Sequence, residues 1–187
     1  MSANRIMLIR HAEKPEATPL SGGVNLDGGA NTEALSVRGW ARAGALAVLL
    51  APSSEMIVDA RIAIPNALFA CPARKPGESE RAVQTLQPLA AKLGIEINTR
   101  FGRGDEAALA IAATETEGTV LIAWEHKALP MLARAIVGKH VSVPEHWPSD
   151  RFDVIWLLEQ MEHAQPWYFR QVPQLLLAGD TGVTPEG

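Results

Sequence analysis

A single cysteine, Cys71, stands in the sequence, so no disulfide can form within the chain, which suits a reducing compartment. Long apolar runs are missing as well. The first one, Ile6 to Ile9, stops at Arg10, too short for the core of a secretion signal, and no later stretch approaches the ~18 apolar residues of a membrane span. A soluble, cytoplasmic protein is the expectation. An excess of positive charge is absent too: 17 Lys and Arg against 21 Asp and Glu leave a formal net charge of −4. That balance argues against nucleic acid or an anionic membrane as partner, and leaves any anion site to a few placed residues. No HExxH, Asp-rich motif or Cys/His cluster is present, and His140, His146 and His163 lack metal-ligand spacing, so no metal is expected. The glycines between 21 and 29 lack the Gly-Lys-Ser/Thr of a phosphate-binding loop and the strand-to-helix GxGxxG context, so no nucleotide cofactor is expected either.

What is present is the length and apolar content of one ordinary domain, residues 1–187, with 47% hydrophobic residues. Residues 5–9 read as a short strand, apolar on both faces as parallel strands usually are. Residues 12–35, with Pro15, Pro19 and several glycines, read as a long surface loop. Ser36 is a plausible N-cap for a helix in which Trp40, Ala43, Ala47 and Leu50 keep helical spacing until Pro52. A second strand is expected over 66–71. A helix through Val83, Leu86, Leu89 and Leu93 should follow, kinked or broken by Pro88. Residues 95–99 suit a third strand, 105–116 an Ala-rich helix capped by Asp105, 119–124 a fourth strand and 129–137 a further helix. The runs 152–158 and 167–172 have little helix between them and suit an antiparallel pair at a sheet edge. This alternation predicts an α/β sandwich, helices on a mainly parallel sheet.

In such sheets ligands sit beyond the carboxyl ends of the strands. The polar residues fall there. Arg10 and His11 end the first strand, and Glu125 and His126 end the fourth. Arg81 opens the helix after the second, while Asp105 and Glu106 open the helix after the third. Arginine forks bind phosphate oxygens bidentately, and a positioned imidazole can attack phosphorus.

Ile6-Met-Leu-Ile-Arg-His-Ala-Glu-Lys14 resembles the strand and RHG signature of the histidine phosphatase superfamily, which includes the cofactor-dependent phosphoglycerate mutases and the histidine acid phosphatases. Leu35-Ser-Val-Arg-Gly39 is similar to its L-T-x-x-G helix start, and Glu80-Arg-Ala-Val-Gln-Thr85 to its R-A-x-Q-T segment. Val120 to His126 matches the strand that carries its second histidine. The resemblance spans about the first 135 residues and implies a phosphoglycerate mutase-like three-layer α/β/α sandwich. It also implies that His11 is a nucleophile forming phosphohistidine, in a phosphate pocket of Arg10, Arg81 and His126. Ala12 stands where the family has glycine, a mild change in backbone freedom beside the nucleophile.

The family supplies its proton donor from different places. Acid phosphatases carry an aspartate directly after the second histidine, and Lys127 occupies that position here. The mutase-like branch uses a glutamate between the second arginine and second histidine, for which Glu106 is the candidate, with Asp105, Glu125 and Glu13 as alternatives. The implied activity is a metal-independent phosphatase acting on a phosphomonoester or phosphoramidate. A phosphomutase, or a module that only binds a phosphorylated partner, is the alternative. Substrates would be phosphorylated small molecules or phosphoproteins, with specificity in residues 14–35, 72–79 and 139–151. Oligomeric state is not legible.

Overall fold

The computed structural model describes residues 3–16, 22–53, 61–160 and 166–185. His163 and residues 17–21 of the expected first loop lie outside the described residues. The chain runs β1 (Ala3–Arg10), α1 (Val37–Leu50), β2 (Ala67–Ala70), α2 (Arg81–Leu93), β3 (Ile97–Asn98), α3 (Glu106–Glu115), β4 (Gly118–Trp124), α4 (Leu129–Val137), β5 (Val154–Glu159) and β6 (Tyr168–Pro173). The strands form one sheet in the order β3-β2-β4-β1-β5-β6. β1, β2, β3 and β4 are parallel, whereas β5 runs antiparallel to β1, and β6 to β5, at the edge.

The apolar strands of the sequence are explained by helices on both faces. Ile6 and Leu8 of β1, with Val120, Ile122 and Trp124 of β4, face one core closed by α3 and α4. Met7, Ile9, Leu121 and Ala123 face the other, closed by Leu46 and Leu50 of α1 and Leu86 and Leu89 of α2. The mainly parallel three-layer sandwich with an antiparallel edge is therefore as expected. Among the described residues no helix is long and apolar enough to cross a membrane.

The helix expected through Pro88 continues from Arg81 to Leu93. Proline removes one donor from the ladder, and burial of Leu86 and Leu89 on either side holds the helix in register. One local expectation needs correction: the first loop is not all surface. Ala34 and Leu35 are fully buried, because the amide of Leu35 is received inside the molecule by the Gln84 side chain at 2.8 Å.

Strand order places the site. β1 and β4 are neighbours, and the helices that follow them, α1 and α4, leave on opposite faces of the sheet. A crevice opens where such paths diverge, beyond the carboxyl ends of the two strands. Arg10 pairs with Trp124 in the last register step, so His11 and His126 emerge side by side from segments far apart in sequence.

Candidate active site

The backbone of His11 continues the β1–β4 ladder by one bond, from its amide to the Trp124 carbonyl at 3.1 Å. Its ring is buried, and Nδ1 lies 2.8 Å from the Ala12 carbonyl oxygen. A carbonyl can only accept, so Nδ1 carries the proton and the Nε2 lone pair is left for chemistry. Burial pushes the His11 pKa down to about 4. The Ala12 hydrogen bond opposes this, and the charges of Arg10, Arg81 and His126 add to it. His126 is likewise lowered to about 4, by burial first and then by Arg10, Lys127 and Lys14. Both imidazoles are neutral at physiological pH. Of the residues singled out in the sequence, Arg10, Arg81 and His126 thus all lie within electrostatic reach of His11.

Arg10 is 2% exposed. Its Nη1 donates to the carbonyls of Ser149 and Arg151, and its Cζ lies 3.8 Å from the centroid of the Phe152 ring. Phe152 also flanks the His11 ring, 6.2 Å between centroids. Burial lowers the Arg10 pKa to about 10, against the pull of Asp150 and Glu13, which leaves a cation at neutral pH. Its Nε is buried with no hydrogen-bond partner among the described residues. A stranded donor of that kind is rare in a folded protein, and here it belongs to an arginine beside a neutral imidazole. Arg81 is arranged differently. Nε donates to the Ala34 carbonyl at 3.0 Å, Nη1 to Ser79 Oγ at 3.2 Å and Nη2 to the Thr32 carbonyl, with Glu33 3.8 Å away. Burial lowers its pKa, partly offset by Glu33. Its fork is turned onto the 32–34 loop.

No family model matches the sequence, and no curated protein matches it. Among solved structures, the candidate phosphohistidine phosphatase SixA from Agrobacterium tumefaciens is similar, with a TM-score of 0.50 and 20% identity, over 89% of this chain and 96% of that one. A structure described as mycobacterial hydrolase 2 aligns with a TM-score of 0.46 and 11% identity, over 91% of this chain and 90% of that one. The chain has the phosphoglycerate mutase-like α/β fold.

Within this fold, the motifs of the chain have visible physical work. Thr85 accepts the amide of Ala12 at 2.8 Å and donates to the Arg81 carbonyl at 2.6 Å, so α2 grips the backbone beside His11. Ser36 caps α1 as expected, accepting from the Gly39 amide at 3.0 Å, while its own amide and hydroxyl donate to the Glu13 carbonyl. Gly39 lies against that same carbonyl, where a Cβ would come within 2.4 Å of the oxygen.

The carboxylates separate by their partners. Glu106 is 3% exposed, and its Oε1 accepts from the Trp124 indole at 3.1 Å and from the Gly104 amide at 3.2 Å. Trp124 is itself fully buried, so it anchors Glu106 from the core. Asp105 does not cap α3 with its side chain, as the sequence suggested; its carboxylate accepts from the Gly102 amide at 2.9 Å and tightens the preceding turn. Glu125 pairs with Arg103 at 2.8 Å. The Glu13 carboxylate receives both Nε and Nη2 of Arg42.

A cleft of about 860 Å³ opens between residues 13–16, the first turns of α1, residues 149–153 and residues 179–181, and Arg10, His11, Arg81 and His126 are not among its lining. Phe152 is shared by the cleft and by the His11 and Arg10 contacts. Phe152, Thr85 and Arg42 were not singled out from the sequence. Thr85 lay inside a quoted motif without a role, Arg42 could have been found as a charge on the apolar face of a helix, and Phe152 carried no signal.

Proposed function

We propose that the chain is a phosphatase that works through phosphohistidine at His11. The observation that carries this reading is the 2.8 Å contact of His11 Nδ1 with the Ala12 carbonyl: an acceptor there calls for the proton on Nδ1, so the neutral ring turns the Nε2 lone pair to chemistry near the buried, partly unpaired guanidinium of Arg10. Nε2 attacks phosphorus, the bond from phosphorus to the leaving oxygen or nitrogen breaks, and the leaving group takes up a proton. Water then attacks the phosphohistidine, its oxygen bonding phosphorus as the P–N bond breaks, and phosphate departs.

Charge on the transferring group is stabilised by Arg10, with Arg81 and His126 close by. Arg10 offers its Nε–Nη2 edge, since its hydrogen bonds to the described residues run through Nη1. Arg81 must share or give up its bonds to the 32–34 loop to reach a phosphate. Glu106, oriented by Trp124, is the proposed proton donor to ester leaving groups. Phosphoramidates need less help at that step, and Lys127 beside His126 leaves no second acid there, which favours them as substrates. The name of the Agrobacterium neighbour agrees with that preference.

The test is to trap an acid-labile, radiolabelled phosphoryl adduct from a phosphoramidate or aryl phosphate and to repeat the trapping with His11→Ala. An adduct that vanishes with turnover in the variant supports the reading. Turnover at the wild-type rate by His11→Ala sinks it, and an adduct-free, inactive protein that still binds phosphate points to a binding module instead. A phosphomutase would pass the label to a second acceptor. Among the described residues no group of three His, Cys, Asp or Glu side chains is placed to hold a metal, so activity should survive exhaustive chelation.

A further inference from the structure

Arg42 occupies a position where the helix period calls for an apolar side chain. It shares the buried face of α1 with Gly39, Leu46 and Leu50 and is 2% exposed. A guanidinium stays charged there, so its removal from water must be compensated donor by donor. All five N–H groups are met. Nε and Nη2 donate to Glu13 at 3.0 and 2.8 Å, Nη1 and Nη2 to Asp180 at 3.0 and 2.7 Å, and Nη1 to Gln174 at 3.0 Å. Asp180 in turn accepts the amides of Leu176 and Leu177 at 2.8 and 3.0 Å. Burial works to raise the Asp180 pKa, yet the Arg42 and amide bonds hold it down at about 2.

One end of this network is the C-terminal segment, and the other is Glu13, one residue beyond the Ala12 carbonyl that holds His11 Nδ1. We propose that Arg42 is a positioning residue: it locks the backbone carrying His11 to residues 174–181, which makes the end of the chain part of the active-site frame. This rests on the nucleophile assignment above for its kinetic consequence only.

The charges involved can be enumerated. His11 is faced by Arg10 of β1, Arg81 of α2 and His126 after β4. Glu13 is faced by Arg42 and Arg38 of α1, and its charge also reaches Arg10. Replacing Arg42 by an apolar residue leaves Arg38, 3.3 and 3.9 Å away, as the ion-pair partner of Glu13 and Asp180 among the described residues. The added negative potential favours the imidazolium, so the His11 titration moves upward from about 4.

The experiment uses the full chain and the variants Arg42→Met and Asp180→Asn, checked for cooperative melting. It combines NMR titration of the His11 ring with steady-state kinetics on p-nitrophenyl phosphate. In Arg42→Met, kcat should fall about tenfold or more with little change in KM, because the nucleophile and not the phosphate pocket is displaced. The His11 midpoint should rise, and adding Glu13→Gln should return it toward the wild-type value. Asp180→Asn should lower kcat at smaller size and, because it removes a negative charge while Arg42 stays, should move the His11 midpoint downward; it decides the question if Arg42→Met does not fold. Folded variants with an unmoved His11 midpoint and unchanged kcat would overturn the proposal and reduce the network to a stabilising brace. A wild-type chain that turns over no phosphate compound would count against the phosphatase reading alone, since the titration still decides the positioning role.

Discussion

The hydroxyl of Thr85 receives the amide of Ala12 across 73 positions of sequence, at 2.8 Å. Thr85 is fully buried, so removing the hydroxyl strands that amide without access to water. Thr85→Val keeps the shape and deletes the acceptor. It should cost about 1 to 3 kcal/mol in denaturant unfolding and lower kcat, because Ala12 also supplies the carbonyl that fixes the His11 tautomer. Unchanged stability would mean that the amide finds another partner.

Gly39 presses on the Glu13 carbonyl from the first turn of α1, and an added Cβ would stand 2.4 Å from that oxygen. Backbone lies on both sides of the contact, so relief requires α1 or the segment after His11 to move. Gly39→Ala should destabilise the fold by about 1 to 3 kcal/mol despite the better helix propensity of alanine, and should reduce turnover as well. A stabilised variant with full activity would show that the close approach is slack.

Acid sensitivity follows from His11. Its folded pKa is about 4, against 6.5 for an unperturbed histidine, because burial and the neighbouring cations disfavour the charged ring. Between those values the unfolded chain binds more protons than the folded one, so this group's contribution to stability is lost as pH falls through that window. The nucleophile stays neutral over the same range. The acid limb of kcat/KM should therefore lie near 4, once the ionisation of the substrate phosphate has been separately measured. A limb at 6.5 in the free enzyme would contradict the buried, cation-flanked ring.

Glu106→Gln should slow esters with poor leaving groups more than activated aryl phosphates, whose phenolate departs unprotonated, or phosphoramidates, whose basic nitrogen takes its proton from solvent before the P–N bond breaks. The indole bond from Trp124 to Oε1 can be retained by the Gln amide oxygen, so stability should change little. Equal losses on both substrate types would remove Glu106 from the acid role.

Much of the frame is legible in the amino-acid order. Residues 5–9 and 119–124 are apolar on both faces because helices cover both sides of the sheet, and that pattern survives in one dimension. The ends of those strands announce Arg10, His11 and His126, since the period that writes a strand also marks where it stops. Ser36 is readable as a cap for the same local reason: its hydroxyl serves an amide three positions on. Pro88 sits inside its helix because proline's cost is local, whereas the burial of Leu86 and Leu89 that outweighs it is tertiary.

What the linear chain determined by itself was the alternation of elements, the landmarks at their ends and a charge balance that left only a few residues to hold an anion. Only the tertiary structure decided which hydrogen bonds those residues make. Glu13, Asp105 and Glu106 are similar carboxylates in sequence. In the fold the first is held by Arg42, the second closes a turn, and the third is held by a buried indole. The reason is physical: helix and strand periods are set by local backbone geometry, but the partner of a buried charge is whichever complementary group the topology brings within about 3 Å, from anywhere along the chain.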